Sequence, residues 1–149
     1  MAGGPQRIGT AFQQWLGLRW TLVERPEGAV CVEMDMRDDL RGPAGSLEGG
    51  VVSTLADVAG SSAAARAAGA MVATQHLAIS FLAPGREGPI RATGVPLRVG
   101  RQDAVTEVRI VDAGRNDRLV AVALVTVRLL GDRPPGSTSG AAGGGREGR

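Results

Sequence analysis

The sequence predicts an α+β fold in which one long helix lies buried among antiparallel strands. Three observations lead there. A proline-free, alanine-rich stretch runs from Val51 to about Ala68 and stops at Gly69, a natural helix end. Two strand-like segments precede it and four follow, without the strand–helix alternation that builds a parallel sheet. The last segment, LVAVALVTVRLL, is almost continuously apolar, as suits a central strand covered on both faces.

Residues 6–17, QRIGTAFQQWLG, place Ile8, Phe12, Trp15 and Leu16 at helical spacing and predict a short amphipathic helix. Residues 18–25 read as a strand, closed by the turn Pro26-Glu27-Gly28. In 29–36, Val30, Val32, Met34 and Met36 alternate with Cys31, Glu33 and Asp35, which marks a half-buried strand. A polar, glycine-rich loop, DDLRGPAGSLEGG, leads into the long helix. Beyond it, strands are expected at about 71–82, 90–99, 103–112 and 118–130, divided at Pro84-Gly85, Gly100 and Gly114. After Gly131 no aliphatic side chain exceeds alanine, so 132–149 is expected to be a disordered tail on one domain spanning 1–131.

Composition excludes several classes of function. The chain has 149 residues, is 43% hydrophobic and carries a net charge of +2. All 17 basic residues are arginines and tyrosine is absent, so the pI of about 9.9 overstates the basic character. The arginines are scattered, and two phenylalanines and two tryptophans are too few for a base-stacking platform, so no nucleic acid is expected as a partner. No apolar run approaches the roughly 20 residues of a membrane span, and no basic-then-apolar leader is visible. A single cysteine, Cys31, excludes an internal disulfide and makes a cytoplasmic setting the expectation. One histidine and one cysteine cannot furnish a zinc site, and the 42–50 loop lacks the Lys-Ser/Thr ending of a phosphate loop. Neither metal nor cofactor is expected.

The long helix carries two stripes. Val51, Leu55, Val58 or Ala59, and Ser62 form an apolar one suited to face the sheet. Gly50, Thr54, Asp57 and Ser61 form a small, polar one with a carboxylate in its middle. An aspartate in a helix interior is mildly unfavourable, so Asp57 is either on a solvated face or at a site. Gly45, Gly49 and Gly50 bring the chain tightly into the helix start, where unpaired N–H groups and the helix dipole favour negative charge. Such a terminus can stabilise the oxyanion of a thioester under attack, with a carboxylate two turns along the helix to act on it.

The segment GPAGSLEGGVVSTLADVAGSSAA resembles the signature of hot-dog-fold thioesterases of the phenylacetate-degradation (PaaI) and 4-hydroxybenzoyl-CoA types. Their pattern, N-x-x-G-x-x-H-G-G with an acidic residue seven positions on, is matched by Gly45, Gly49, Gly50 and Asp57. VATQHLAISFLAPG and LRVGRQDAVTEVRIVDAGRNDRLVAVALVTV resemble the strands that follow. The resemblance implies a hot-dog fold, an antiparallel sheet wrapped around the central helix, in a homodimer or dimer of dimers. It implies hydrolysis of an acyl- or aryl-CoA thioester. The Gly49 N–H would polarise the carbonyl and Asp57 would be nucleophile or base. Ser61 matches a hydroxyl position in the site, and Thr74 one contributed by the partner subunit. The histidine of the pattern is Glu48 here and its asparagine is Gly42. Glu48 is then a second carboxylate in the site or a helix-terminal charge.

His76 is expected on one strand face with Thr74, Ala78 and Ser80, as a polar-face residue rather than a proton carrier. Arg98 and Arg101 flank a glycine turn and are candidates to meet the phosphates of coenzyme A. The alternative to an enzyme is a non-catalytic acyl-CoA-binding or interaction module on the same fold, which the two departures from the pattern favour. A hot-dog dehydratase is weakened because that chemistry pairs a histidine with the acid.

Overall fold

The computed structural model describes residues 9–132; Ile8 and the expected tail from 133 onward lie outside them. Thr10 starts α1 (Ala11–Trp15): its hydroxyl accepts from the Gln13 N–H, and the Gln13 side chain accepts from the Thr10 N–H. Five residues make little more than one turn, and the side chains that reach the core are Leu16 and Leu18. Phe12 and Trp15, expected to share that apolar face, are instead exposed and stack with ring centroids 6.2 Å apart.

β1 (Arg19–Leu22) and β2 (Val30–Met34) form a hairpin shorter than the expected segments. Val30, Val32 and Met34 point inward as their alternation requires. α2 (Gly49–Ala68) follows, then β3 (Ala70–Phe81), β4 (Ile90–Val99), β5 (Asp103–Asp112) and β6 (Arg118–Asp132). All strands join one antiparallel sheet in the order β1-β2-β4-β5-β6-β3, which leaves β3 at an edge. The sheet curls around α2, which touches β2, β3, β4, β5 and β6. This is the hot-dog arrangement, with one long helix held in an antiparallel sheet.

Small side chains let helix and sheet close on each other. A Cβ on Gly60 would stand 2.6 Å from Val125 Cγ2 and 2.8 Å from Thr106 Oγ1, and one on Gly94 would stand 2.5 Å from the Ala59 carbonyl oxygen. Ala56, Ala59, Ala63 and Ala64 complete this contact with no exposed surface, and Leu55 fills the space beside them. The sheet-facing stripe is therefore Val52, Leu55, Ala56, Ala59 and Ala63, turned from the expected Val51–Ser62 line. Val51 is half-buried, and Ser62 sits to one side, where its hydroxyl accepts from Trp20 Nε1–H at 3.2 Å. Gly69 ends the helix with φ of 62°, and its N–H donates to the Ala65 carbonyl.

β6 lies between β5 and β3, and the described residues cover one of its faces. Ala121, Ala123, Val125 and Val127 meet the helix, while Leu124 between them is exposed on the outer face. Among the described residues the strand is thus covered on one face rather than the two expected: α2 covers one side of the sheet, and no described element covers the side that Leu124 faces.

Candidate active site

Two clusters of the predicted residues form at different points along α2. The first is its N-terminus. Gly45, with φ of 75°, turns a tight loop closed by Gly42 N–H to the Ser46 carbonyl and Gly45 N–H to the Gly42 carbonyl, both 2.9 Å. Glu48 takes the N-cap backbone conformation, yet its side chain makes no capping bond and is exposed. Val51 and Val52 N–H groups donate to the Glu48 carbonyl. The N–H groups of Gly49 and Gly50, the first two helical residues, have no backbone acceptor among the described residues and point out of the exposed helix end.

Beside Gly49 opens a cleft of about 360 Å³ walled by Leu47, Val52, Phe81, Leu82, Pro84 and Val120. The Phe81 ring flanks Gly49 closely: a Cβ there would lie 3.6 Å from Phe81 Cζ. Sequence reasoning assigned Phe81 no role; its position just before the Leu-Ala-Pro-Gly break was the available signal. A larger hollow of about 490 Å³ lies on the sheet face turned away from α2, between Ser80, Glu107, Arg109 and Leu124, and contains no predicted site residue.

The second cluster is at mid-helix. Asp57 is half-buried on the side of α2 that faces β3, and Thr74 Oγ1–H donates to its Oδ1 at 2.6 Å. No ion pair among the described residues reaches Asp57, so its charge is oriented by a hydroxyl without being neutralised. Within one chain, Asp57 and Thr74 thus form a pair. Ser61 lies one turn further, its hydroxyl donating to the Val58 carbonyl at 3.3 Å. Thr54 likewise donates to the Gly50 carbonyl at 3.0 Å, so both small hydroxyls of the stripe turn back onto the helix.

A β-bulge explains why Thr74 reaches the helix. Thr74 pairs with buried Val127, but His76 pairs with Thr126, so the register slips at Gln75. The slip turns Thr74 toward α2 and His76 to the outer face with Ala78 and Ser80, correcting the expectation that all four share a face. A strict period of two cannot register an inserted residue. His76 is exposed and is not brought to Asp57 by any described contact.

Arg101 is exposed in the β4–β5 turn. The register Val99–Ala104–Val127–Thr74 sets that turn level with the Asp57 cluster and at the opposite end of β4 from the helix N-terminus. Arg98 is engaged by Asp103 at 3.2 Å.

The geometry has clear relatives. Residues 44–119 match the family model described as the thioesterase superfamily. The chain belongs to the thioesterase superfamily. A Saccharolobus solfataricus relative is 32% identical over 93 residues, a match spanning 62% of this chain and 66% of that protein. The 1,4-dihydroxy-2-naphthoyl-CoA hydrolase of Listeria monocytogenes is 26% identical over 120 residues, 79% of this chain and 94% of the hydrolase. Among solved structures, the PaaI protein of the E. coli phenylacetic acid degradation operon superposes with a TM-score of 0.74 at 26% identity, covering 83% of this chain and 86% of PaaI. The family match begins one residue before Gly45 and so includes both clusters of this superfamily member. Among its described residues no helix is long and apolar enough to cross a membrane.

Proposed function

We propose that this thioesterase-superfamily chain hydrolyses an acyl- or aryl-CoA thioester to the free acid and CoA, with Asp57 and the Gly49 N–H as the working groups. The observation that carries the reading is the unneutralised Asp57 carboxylate oriented by Thr74, on a helix whose first two N–H groups are free. Hydrolysis adds the oxygen of water to the acyl carbon, breaks the C–S bond and sends a proton to the departing thiolate. Asp57 serves either as the base that takes the proton from water or as the nucleophile that adds first and is released by water. Gly49 N–H meets the negative charge that develops on the carbonyl oxygen. Leu47, Val52, Phe81 and Val120 give the otherwise largely polar cleft beside Gly49 an apolar part for an acyl or aryl group. Glu48, exposed and uncoupled from the cap, acts as a helix-terminal charge, and Gly50 and Ser61 line the same helix face beside the working groups. Arg101 contacts CoA phosphate.

One chain alone does not complete this site. Gly49 and Asp57 are eight residues apart, which is about 12 Å along an α-helix. A hydrogen bond to the carbonyl oxygen, the C=O bond and an attack distance together span about 7 Å, and about 10 Å when a water lies between the base and the carbon. The Gly49 end of one copy therefore works with the Asp57–Thr74 pair of a second copy, and β3, the edge strand that carries Thr74, is the natural place for the copies to meet. A homodimer, alone or paired into a tetramer, is the functional unit.

The test is turnover of purified protein on a panel of acyl- and aryl-CoAs, with Asp57→Asn compared on the best substrate. The isosteric amide keeps the packing but has no charge, so the rate is expected to fall at least ~100-fold with the melting temperature preserved. Glu48→Gln is expected to cost far less. Full activity in folded Asp57→Asn protein contradicts the assignment. Tight acyl-CoA binding with no turnover of any thioester by the wild type would favour the binding-module reading, to which Glu48 and Gly42 at the histidine and asparagine positions point.

A further inference from the structure

We infer that Asp112 is a positioning residue for the oxyanion end of the site: its buried carboxylate holds the β3–β4 loop in the shape that places the Gly49 N–H. The inference rests on the proposed role of Gly49. Asp112, the last residue of β5, is wholly buried, and the described ion pairs give it no arginine partner. Its Oδ2 accepts from the N–H groups of Arg86 and Glu87 at 2.8 and 3.1 Å, and its Oδ1 from Gly88 N–H at 2.8 Å. Three consecutive amides of one loop thus converge on one side chain. Burial alone pushes the Asp112 carboxyl up, but the N–H groups of Arg86, Glu87, Gly88 and Gly114 outweigh it and hold the group below the ordinary aspartate range.

The held loop grips the helix start through two further bonds. Gly85 carbonyl accepts from the Leu47 N–H at 2.9 Å, two residues before Gly49. Arg86 carbonyl accepts from Arg41 Nη1 at 3.0 Å, and the same nitrogen donates to the Gly45 carbonyl at 2.8 Å. Arg41 and Leu47 also pair as an isolated β-bridge, and Glu48 N–H donates to the Leu40 carbonyl at 3.0 Å. Every link from Asp112 to Glu48 is therefore a hydrogen bond to backbone, with Gly49 next in the chain. The contact is also close: a Cβ on Gly114 would run into the Gly88 carbonyl, and one on Gly85 would come within 3.1 Å of Ile90 Cδ1.

Burying a carboxylate without a cation is costly unless several donors converge on it. An asparagine there offers one oxygen and turns an N–H₂ toward donors, so Asp112→Asn releases part of the loop. Displacing a reacting group's partner by about 1 Å can cost a hundredfold in rate. Asp112→Asn is expected to lower kcat about tenfold or more while KM stays within about twofold, since the cleft walls and CoA contacts persist.

The experiment compares Asp112→Asn, Arg41→Met and their double variant on the best CoA substrate, below their melting temperatures. Val108→Ala, a buried change on the same strand, is the control for lost stability alone. The expected result is a kcat loss in each single variant, a double variant no worse than the stronger single, and unchanged kcat in Val108→Ala. Wild-type kcat in Asp112→Asn, or an equal loss in Val108→Ala, overturns the inference. If Asp112→Asn does not fold, Arg41→Met decides alone: a kcat loss at constant KM supports it and wild-type kcat overturns it. Gly49→Pro separates the two levels. It removes the N–H at a first helical position whose preceding residue already has φ −63° and ψ 139°, which proline accepts. Its Cβ meets the Phe81 ring at an ordinary 3.6 Å, and Gly49→Ala, which adds the same Cβ but keeps the N–H, is the control for the added carbon. Activity lost in Gly49→Pro but kept in Asp112→Asn and Arg41→Met sinks this inference alone. Activity kept in Gly49→Pro sinks the role of Gly49 itself.

Discussion

The two halves of α2 are built from similar small residues and put them to opposite uses. From Val58 onward the helix is locked to the sheet: Gly60 abuts Val125 and Thr106, Ala59 abuts Gly94, and Ala63 and Ala64 have no exposed surface. From Gly49 to Asp57 the polar stripe is left open, with nothing within 4 Å of a Cβ on Gly50, free N–H groups at the tip and a carboxylate held by one hydroxyl. Small residues serve close packing in one half and access in the other. Composition alone does not distinguish the two, but the cost of adding a methyl group does.

The largest contrast is expected from adding that methyl in the packed half. Gly60→Ala places a Cβ against a β-branched strand residue that cannot swing away, so it should destabilise by about 1–3 kcal/mol. That exceeds the gain of up to about 1 kcal/mol from helix propensity, and urea denaturation reads the balance. Stability at or above wild type would show that sheet and helix are looser than their separation implies. Thr74→Val should cost less, about three- to tenfold in kcat, by releasing the Asp57 carboxylate while leaving its charge. An unchanged kcat would make the 2.6 Å bond incidental. The smallest effect belongs to Gly50→Ala, which meets open space and keeps its N–H. It should raise stability by a few tenths to about 1 kcal/mol with turnover retained, and a clear loss of activity would mean that this face must stay bare for substrate.

Much of the fold was legible in the sequence, and the reason is local. Gly69 marked the end of α2, and breaks at Pro84-Gly85, Gly100 and Gly114 set off strands that begin and end within a few residues of those expected. Alternation in 29–36 correctly pointed Val30, Val32 and Met34 inward. What could not be read depends on tertiary register. The slip at Gln75 separates Thr74 from His76 by face without any glycine or proline to announce it. Phe12 and Trp15 have helical spacing, but α1 is too short for spacing to decide burial. Asp112 read only as the last residue of the expected 103–112 strand, because three amides converging from another loop leave no trace in sequence order. The Gly49–Asp57 spacing was visible, but its length of about 12 Å, on which the proposed shared site rests, follows only once those residues form one helix.

That shared site is tested most directly by mixing two inactive variants. Gly49→Pro and Asp57→Asn chains, each inactive alone, are co-refolded in equal amounts and assayed on the best thioester. If each site takes Gly49 from one copy and Asp57 from the other, a mixed dimer carries both lesions in one site and none in the other. Half of the dimers are then mixed with one intact site each, so turnover should recover to about a quarter of wild type. A mixture as inactive as its components, with light scattering showing mixed dimers, would place both groups in the same chain's site and contradict the account.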